Sequence, residues 1–164
     1  MMGVGKSTIG RKLAKKLKLK FVDIDNIIEK KEKTSIKDIF EKKGENHFRK
    51  IEKKTTIEEL KKNDLVIALG GGAFVDKSIR KVVKMTSISF WLDLDLKSLL
   101  SRLKNVKKRP LLNHDNLEES VNKIYSKRKK IYNKSNFRIK CNSKETSEIV
   151  YKIIKLYENT RNKI

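Results

Sequence analysis

The segment Gly3-Val4-Gly5-Lys6-Ser7-Thr8 is suited to binding phosphate, and it runs directly into a predicted helix. It matches the end of the phosphate-binding pattern G-x-x-x-x-G-K-[ST]. Glycines allow backbone N–H groups to turn toward phosphate oxygens, and the helix N-terminus adds a favourable dipole. We expect Lys6 to reach the β- and γ-phosphates of a nucleotide and the Ser7 hydroxyl to hold Mg²⁺. The alternative is a glycine-containing tail before an ordinary helix, but the intact Gly-Lys-Ser-Thr core favours a phosphate site.

Two carboxylates, Asp23 and Asp25, stand at the end of a short apolar segment that is predicted to be a strand. Side chains at positions i and i+2 of a strand point to the same side, here toward the crevice at its carboxyl end. One carboxylate could organise a water on Mg²⁺, while the other accepts the proton of a substrate hydroxyl. Alternatively, one of them caps the helix predicted to begin near Asn26.

Two arginines are placed to bind an anionic group. Arg49 lies three positions before Glu52 on a predicted helix, so the carboxylate can hold the guanidinium in place for a substrate carboxylate. A surface ion pair is the alternative for this pair. Arg128 and Tyr132 are four positions apart on another predicted helix. The Arg128 guanidinium either binds the substrate carboxylate as a second arginine or packs against the sheet.

Three consecutive glycines, Gly70, Gly71 and Gly72, follow a buried-type strand. Without side chains, they let a ligand lie directly on the backbone, with N–H groups as donors. A plain tight turn rarely needs three glycines, and this chain has only seven. We therefore expect a binding site here rather than a simple turn.

A basic loop follows Arg102, and it contains Arg109 next to the single proline. A positive loop that closes over phosphates excludes water and stabilises the charge that moves during phosphoryl transfer. We expect a mobile lid at about 104–116, with Arg109 directed to the phosphates. The lysines of this loop are expected to be solvated surface.

Strands and helices alternate along the chain, which predicts an α/β fold with a parallel sheet covered on both faces. We find no internal repeat and no linker, so residues 1–164 are expected to form a single domain. The strands are predicted at 20–24, 65–69, 87–94 and 137–141. The helices are predicted at 6–18, 26–32, 35–43, 45–62, 77–85, 96–103, 118–132 and 146–158.

The composition limits the classes of protein that this chain can represent. It has 42 lysines and arginines against 20 acidic residues, a net charge of +22, but only eight of the basic residues are arginine. Scattered lysine is not typical of a protein that reads base edges, so we expect no specific nucleic acid partner. One cysteine and two separated histidines exclude a disulfide framework, make a structural zinc site unexpected and fit a cytoplasmic location. No apolar run is long enough to span a bilayer, so no membrane partner is expected.

The phosphate-binding pattern places its first glycine before Met1, and the hydrophobic strand that normally precedes it is also absent from the sequence. That strand would lie in the middle of the sheet, so its loss is expected to leave a gap between its neighbours. We therefore expect the natural chain to begin roughly ten residues earlier, the length of a typical strand and turn.

Taken in order, the motifs resemble those of the shikimate kinase family over nearly the whole chain. They are G-x-G-K-S-T at Gly3, D-x-D at Asp23, G-E-x-x-F-R-x-x-E at Gly44, G-G-G at Gly70, R-P-L-L at Arg109 and R-x-x-x-Y at Arg128. The resemblance implies transfer of the ATP γ-phosphoryl group to the 3-hydroxyl of shikimate, in aromatic amino-acid biosynthesis. It also implies a three-layer α/β/α P-loop kinase fold with a parallel sheet of strand order 2-3-1-4-5, whose first strand is missing from this chain.

The resemblance further implies roles for individual residues. Lys6 and Ser7 would serve the phosphates and Mg²⁺, Asp23 would reach Mg²⁺ through water, and Asp25 would bind the shikimate hydroxyls and act as the base. The substrate carboxylate would lie between Arg49 and Arg128, with Gly70, Gly71 and Gly72 beneath the ring. The remaining ATP contacts would come from Arg109 on the phosphates and from Arg102 and Lys144 beside adenine.

The resemblance implies a cytoplasmic monomer whose partners are shikimate, ATP and Mg²⁺. Three alternatives differ from it in chemistry. A gluconate-type small-molecule kinase would keep the phosphate loop, residues 3–8, and the lid. It would not keep the three consecutive glycines together with the two arginines, Arg49 and Arg128, that bind a carboxylate. A basic nucleic-acid-binding module would explain the charge and leave the Asp23 and Gly70 motifs unused. An inactive truncated paralogue would keep the motifs without turnover.

Overall fold

The computed structural model describes residues 1–104, 116–142 and 144–162. It contains four short strands, β1 (Lys20–Asp23), β2 (Leu65–Ala68), β3 (Phe90–Asp93) and β4 (Phe137–Lys140). The helices are α1 (Lys6–Leu17), α2 (Ile24–Glu32), α3 (Ile36–Leu60), α4 (Lys77–Thr86), α5 (Leu96–Leu103), α6 (Leu117–Tyr132) and α7 (Thr146–Arg161). A short 3₁₀ turn occupies Ala73–Val75. Arg109 and most of the expected lid lie outside the described residues, so their predictions stay predictions.

The four described strands form two parallel pairs. β1 pairs with β2, with Lys20 opposite Leu65, and β3 pairs with β4, with Phe90 opposite Phe137. β2 and β3 are not paired, and residues from both line a cavity of about 720 Å³. This pairing agrees with the family order 2-3-1-4-5 with its first strand left out, and the expected gap between neighbouring strands is present.

Gly44 interrupts α3, which the sequence predicts as two helices. Its φ of 79° and ψ of 167° are far from helical values and are strained for any residue with a side chain. The break changes the direction of the chain between the first turns of α3 and the part that carries Arg49 and Glu52. The predicted helix boundary at this glycine is therefore confirmed, although hydrogen bonding continues across it.

Two apolar clusters hold the elements together. The larger one contains buried residues from α1, α4, α5 and α7 and from β3, among them Leu13, Ile79 and Leu99. The smaller one joins α2 to α3 through Ile24, Ile28, Ile39 and Phe48. This second cluster fixes the helix that carries Arg49 against the helix that carries Asp25.

The predicted strands are longer than the observed ones. The segment 87–94 forms a strand only at Phe90–Asp93, because these four residues are the ones that face β4. Likewise β1 ends at Asp23, where the chain turns into α2.

Within the described residues, the helices lack the combination of length and apolar character needed to cross a bilayer.

Candidate active site

The loop before α1 has the backbone of an anion-binding turn. Gly3 and Gly5 have φ values of 74° and 87°, and Gly5 caps the N-terminus of α1. Val4 between them is buried and anchors the loop in the core, while Thr8 is exposed. The Lys6 ammonium donates to the Met1 carbonyl at 3.0 Å, which holds its side chain alongside the loop. The start of α1 therefore combines the N-terminal N–H groups of a helix with one nearby ammonium group, which suits phosphate binding.

Ser7 and Asp23 meet at the end of β1. The Ser7 hydroxyl donates to Asp23 Oδ2 at 2.6 Å, and Asp23 Oδ1 accepts from the Asp25 backbone N–H at 3.1 Å. Asp23 thus caps α2, and Asp25 lies in the first turn of that helix rather than on the strand. The predicted placement of both carboxylates on one side of a strand is wrong, because a helix N-cap ends the strand at Asp23.

The Ser7–Asp23 pair fits Mg²⁺ by the chemistry of its donors. A hydroxyl and a carboxylate are hard oxygen ligands, and Mg²⁺ is commonly held by one or two such groups together with waters and substrate phosphates. Among the described residues, no group of three or more His, Cys, Asp or Glu side chains is arranged to hold a metal ion. The donor set therefore suits a nucleotide-borne Mg²⁺ better than a metal held by protein side chains alone.

Arg49 is held by two carboxylates of its own helix. Its Nη1 donates to Glu52 at 2.5 Å, and its Nε and Nη2 donate to Glu45 at 3.1 and 2.9 Å. Its guanidinium also lies over the rings of Phe48 and Phe40. Burial disfavours the charged guanidinium, but Glu52 and Glu45 outweigh it and raise the pKa of Arg49. The predicted Arg49–Glu52 pair is confirmed, while Glu45, four positions before Arg49, was missed although its spacing signals the contact.

The Glu52 side chain is only 3% exposed and lies at the centre of the site. Burial raises its pKa, and the nearby Asp25 adds to the increase, whereas Arg49 opposes it. Glu52 thus links a candidate base to a candidate substrate-binding arginine through electrostatics. Asp25 and Glu52 both lie against Gly70.

The three glycines leave room for charged side chains. A Cβ added at Gly70 would lie 2.8 Å from Asp25 Oδ1 and even closer to Glu52, and one at Gly72 would lie 2.7 Å from Arg49 Cζ. Only glycine allows these groups to approach the backbone so closely. A Cβ at Gly71 would lie 3.5 Å from the Met2 nitrogen, so the turn also borders the chain that leads into the phosphate loop.

Arg128 and Tyr132 reach the same turn from α6. Arg128 Nη1 donates to the Gly71 carbonyl at 2.7 Å, and the Tyr132 hydroxyl donates to the same oxygen. Burial raises the pKa of Tyr132, so its hydroxyl keeps the proton that it donates. The shared helix face predicted for this pair is confirmed. Both side chains face the turn formed by Gly70, Gly71 and Gly72, the glycine turn.

Two residues expected near adenine lie in different surroundings. Arg102, in the last turn of α5, directs Nη1 toward the Gly3 carbonyl at 3.5 Å, so it borders the phosphate loop. Lys144 is exposed in the segment between β4 and α7. Their contacts with a nucleotide stay predictions.

Comparison with known proteins gives one consistent family. The family model described as shikimate kinase matches residues 2–158. A shikimate kinase from Sulfurihydrogenibium sp. (strain YO3AOP1) is 42% identical over 153 residues, covering 93% of this chain and 91% of the relative. One from Persephonella marina is 41% identical and covers 93% of this chain and 92% of the relative.

Solved structures agree with the sequence comparison. The structure of shikimate kinase from Acinetobacter baumannii in complex with shikimate has a TM-score of 0.93 and 34% identity, covering 97% of this chain and 89% of that one. The shikimate kinase from Aquifex aeolicus has a TM-score of 0.86 and 34% identity, with 98% and 94% coverage. The fold, the ordered motifs and these relatives lead to one conclusion: the chain belongs to the shikimate kinase family.

Proposed function

We propose that this protein transfers the γ-phosphoryl group of ATP to the 3-hydroxyl of shikimate, giving shikimate 3-phosphate and ADP for aromatic amino-acid biosynthesis. The observation that carries the proposal is the convergence of Arg49, Arg128, Asp25 and Glu52 on the glycine turn. This set can bind one carboxylate and several hydroxyls of a small ring. The turn borders the chain that leads into the phosphate loop, so the two substrates would meet between them.

The substrate carboxylate would be held by two guanidinium groups. Arg49 is fixed by Glu45 and Glu52, and Arg128 is fixed by the Gly71 carbonyl. Each keeps further N–H donors for a ligand, since a guanidinium carries five. Two arginines approaching from different helices give directional recognition of a carboxylate that a lysine could not provide.

Asp25 is the proposed base. Its carboxylate would accept the proton of the shikimate 3-hydroxyl while that oxygen forms its bond to the γ-phosphorus. The bond between the γ-phosphorus and the bridging oxygen would break at the same centre, and ADP would leave with the electron pair. Lys6 and the N-terminus of α1 would stabilise the negative charge on the phosphate oxygens.

Mg²⁺ is the proposed metal, held by the Ser7 hydroxyl and, through water, by Asp23. The ion would neutralise charge on the nucleotide phosphates when it is bound. Arg102, Lys144 and Arg109 are proposed to complete the nucleotide site. The protein is proposed to work as a cytoplasmic monomer, since shikimate kinases are generally monomeric.

An ADP-release assay with shikimate, gluconate and nucleoside monophosphates as separate acceptors tests this proposal. We expect release with shikimate alone, because only shikimate offers a carboxylate and ring hydroxyls in the required arrangement. Release with gluconate instead would favour the gluconate-type kinase, and ADP release independent of any acceptor would contradict the proposal. No release at all is the result expected of an inactive paralogue.

Arg49→Ala provides the matched test of substrate recognition. We expect it to raise the KM for shikimate about 10- to 100-fold, the usual effect of losing hydrogen bonds to a charged group, and to leave the KM for ATP nearly unchanged. Lys50→Ala removes one positive charge from the neighbouring exposed position and should leave both constants unchanged. Equal effects of the two substitutions would indicate that Arg49 acts only through general electrostatics.

A further inference from the structure

Asp93, the last residue of β3, is a buried carboxylate that neither the phosphate loop nor the glycine turn uses. Its side chain is 8% exposed. Arg138 on β4 donates to its Oδ2 through Nε at 2.8 Å and Nη2 at 2.6 Å, and the Tyr125 hydroxyl on α6 donates to its Oδ1 at 3.2 Å. Both oxygens of the carboxylate therefore have partners, one from a strand and one from a helix.

Tyr125 lies on the face of α6 that meets the active site. It precedes Arg128 by three positions and Tyr132 by seven, a spacing that places the three side chains along one helix face. Burial raises the pKa of Tyr125 and the Asp93 carboxylate adds to the increase, so the hydroxyl remains a donor. Among the described hydrogen bonds, the one to Asp93 is the only side-chain bond from α6 to a strand.

A second line of contacts runs through Trp91. The Arg138 guanidinium lies 4.8 Å from the centre of the Trp91 ring, and this ring is 6.0 Å from the ring of Tyr132. Arg138 therefore forms an ion pair with Asp93 and a cation–π contact with Trp91, whose ring lies near that of Tyr132 at the C-terminal end of α6. The two ends of the α6 face are tied to the same pair of strands.

We infer that Asp93 is a positioning residue for substrate binding: through Tyr125 it fixes the rotation of α6, so that Arg128 reaches both the Gly71 carbonyl and the substrate carboxylate. The inference rests on the proposed function for its kinetic part. Arg128 makes its contact with the Gly71 carbonyl at 2.7 Å, a short hydrogen bond whose geometry depends on how α6 is rotated about its axis. Asp93 contacts neither substrate site directly and acts on binding rather than on the transfer step.

Tyr125→Phe removes the hydroxyl and keeps the ring, and it tests the inference with little disturbance of packing. We expect the KM for shikimate to rise about fivefold, with kcat and the KM for ATP changed less than about twofold. In an Arg128→Ala background the same substitution should have no further effect on the KM for shikimate, because its route to the substrate is gone. Tyr151→Phe, which alters an exposed tyrosine, should change nothing.

A spectroscopic measurement separates this inference from the proposed function. The amide N–H of Gly72 follows the carbonyl that accepts from Arg128, so its ¹H–¹⁵N signal reports that hydrogen bond without any substrate. We expect Tyr125→Phe to shift this signal and Tyr151→Phe to leave it in place. If the wild-type protein gave no shikimate-dependent ADP release, the proposed function would fail while a shifted Gly72 signal would still support the positioning of Arg128.

Three results would overturn the inference. One is an unchanged Gly72 signal in Tyr125→Phe. Another is an unchanged KM for shikimate in an active enzyme. The last is a full effect of Tyr125→Phe that persists in the Arg128→Ala background, since that effect would not pass through Arg128. Asp93→Ala removes the acceptor for the Tyr125 hydroxyl, and in that background Tyr125→Phe should not raise the KM for shikimate further, because the two side chains share one hydrogen bond.

Discussion

Single residues in this site are constrained by the charged side chains next to them. Glu52 is the clearest case, because it holds Arg49 and also lies near Asp25. The sequence indicates the first relation through the spacing of three positions on a helix. It does not indicate the second, because Asp25 and Glu52 meet only when α2 packs against α3.

Asp25→Asn tests the proposed base. We expect kcat to fall about 10²- to 10⁴-fold, because the amide cannot accept the hydroxyl proton, while the KM for ATP stays nearly constant. Steady-state kinetics with shikimate measure both constants. Asp64→Asn, at an exposed position before β2, is the matched control and should keep wild-type rates. Full kcat in Asp25→Asn would refute its assignment as the base.

Gly70→Ala tests the close approach of carboxylates to the glycine turn. Its Cβ would press on Asp25 and on Glu52, whose side chain is held by Arg49, so we expect a loss of about 1–3 kcal/mol in the free energy of unfolding and weaker shikimate binding. Gly71→Ala should cost less stability, because its Cβ would lie 3.4 Å from the end of the longer Arg128 side chain. Denaturant titration of both variants gives the comparison, and equal losses would contradict this reading.

At the scale of elements, helix termini decide where the site residues lie. Asp23 was expected on a strand with Asp25, but its side chain caps α2 and sends Asp25 into a helical turn. Local sequence allowed both outcomes. The helix boundaries were otherwise well predicted from apolar periodicity, whereas the strand boundaries were not, because pairing with a distant partner sets the length of each strand.

Asp76 caps α4 and provides a test of an element away from the site. Its carboxylate accepts from Ser78 and Ile79 N–H at 2.7 and 3.0 Å, and Asp76→Ala should cost about 1 kcal/mol in the free energy of unfolding at neutral pH. Glu145→Ala, at an N-cap with no side-chain capping bond, should cost little. Thermal or denaturant unfolding would compare them, and equal losses would argue against the cap.

The same cap predicts a pH dependence. Partial burial disfavours the charged carboxylate, but the hydrogen bonds from Ile79 and Ser78, together with Lys53, outweigh it and lower the pKa of Asp76. A lowered pKa in the folded state means that the stabilisation is fully present above the ordinary Asp pKa and is lost as the pH falls through the lowered value. The stability difference between wild type and Asp76→Ala should therefore shrink in acid, and a difference that grew there would contradict the assignment.

At the scale of the whole molecule, the net charge of +22 is the largest electrostatic feature. We expect binding to DNA that is equal for two unrelated duplexes and that weakens steeply between about 50 and about 200 mM salt, because counterion release rather than base contact drives it. Fluorescence anisotropy measures both properties. A clear preference for one duplex would contradict the expected absence of a specific nucleic acid partner.

The fold class and the pairing of Arg49 with Glu52 could be predicted because they follow short-range patterns: ordered motifs and helix periodicity. The Asp93 network could not, because its partners Tyr125 and Arg138 lie 32 and 45 positions away in the sequence. Nothing local distinguishes Asp93 from Asp95, which caps α5 two residues later. Contacts of this kind appear only when strands and helices are assembled.

The separation of the strands into two pairs has a consequence for how the chain folds. β1 and β2 are joined through α2 and α3, and β3 and β4 through α5 and α6. Each parallel strand pair is therefore formed by segments from the same half of the chain. Each closure spans about 45 residues and has its own loop-closure entropy. α1 contacts β2 from the first half of the chain and α7 from the second, so it joins the two halves through one core.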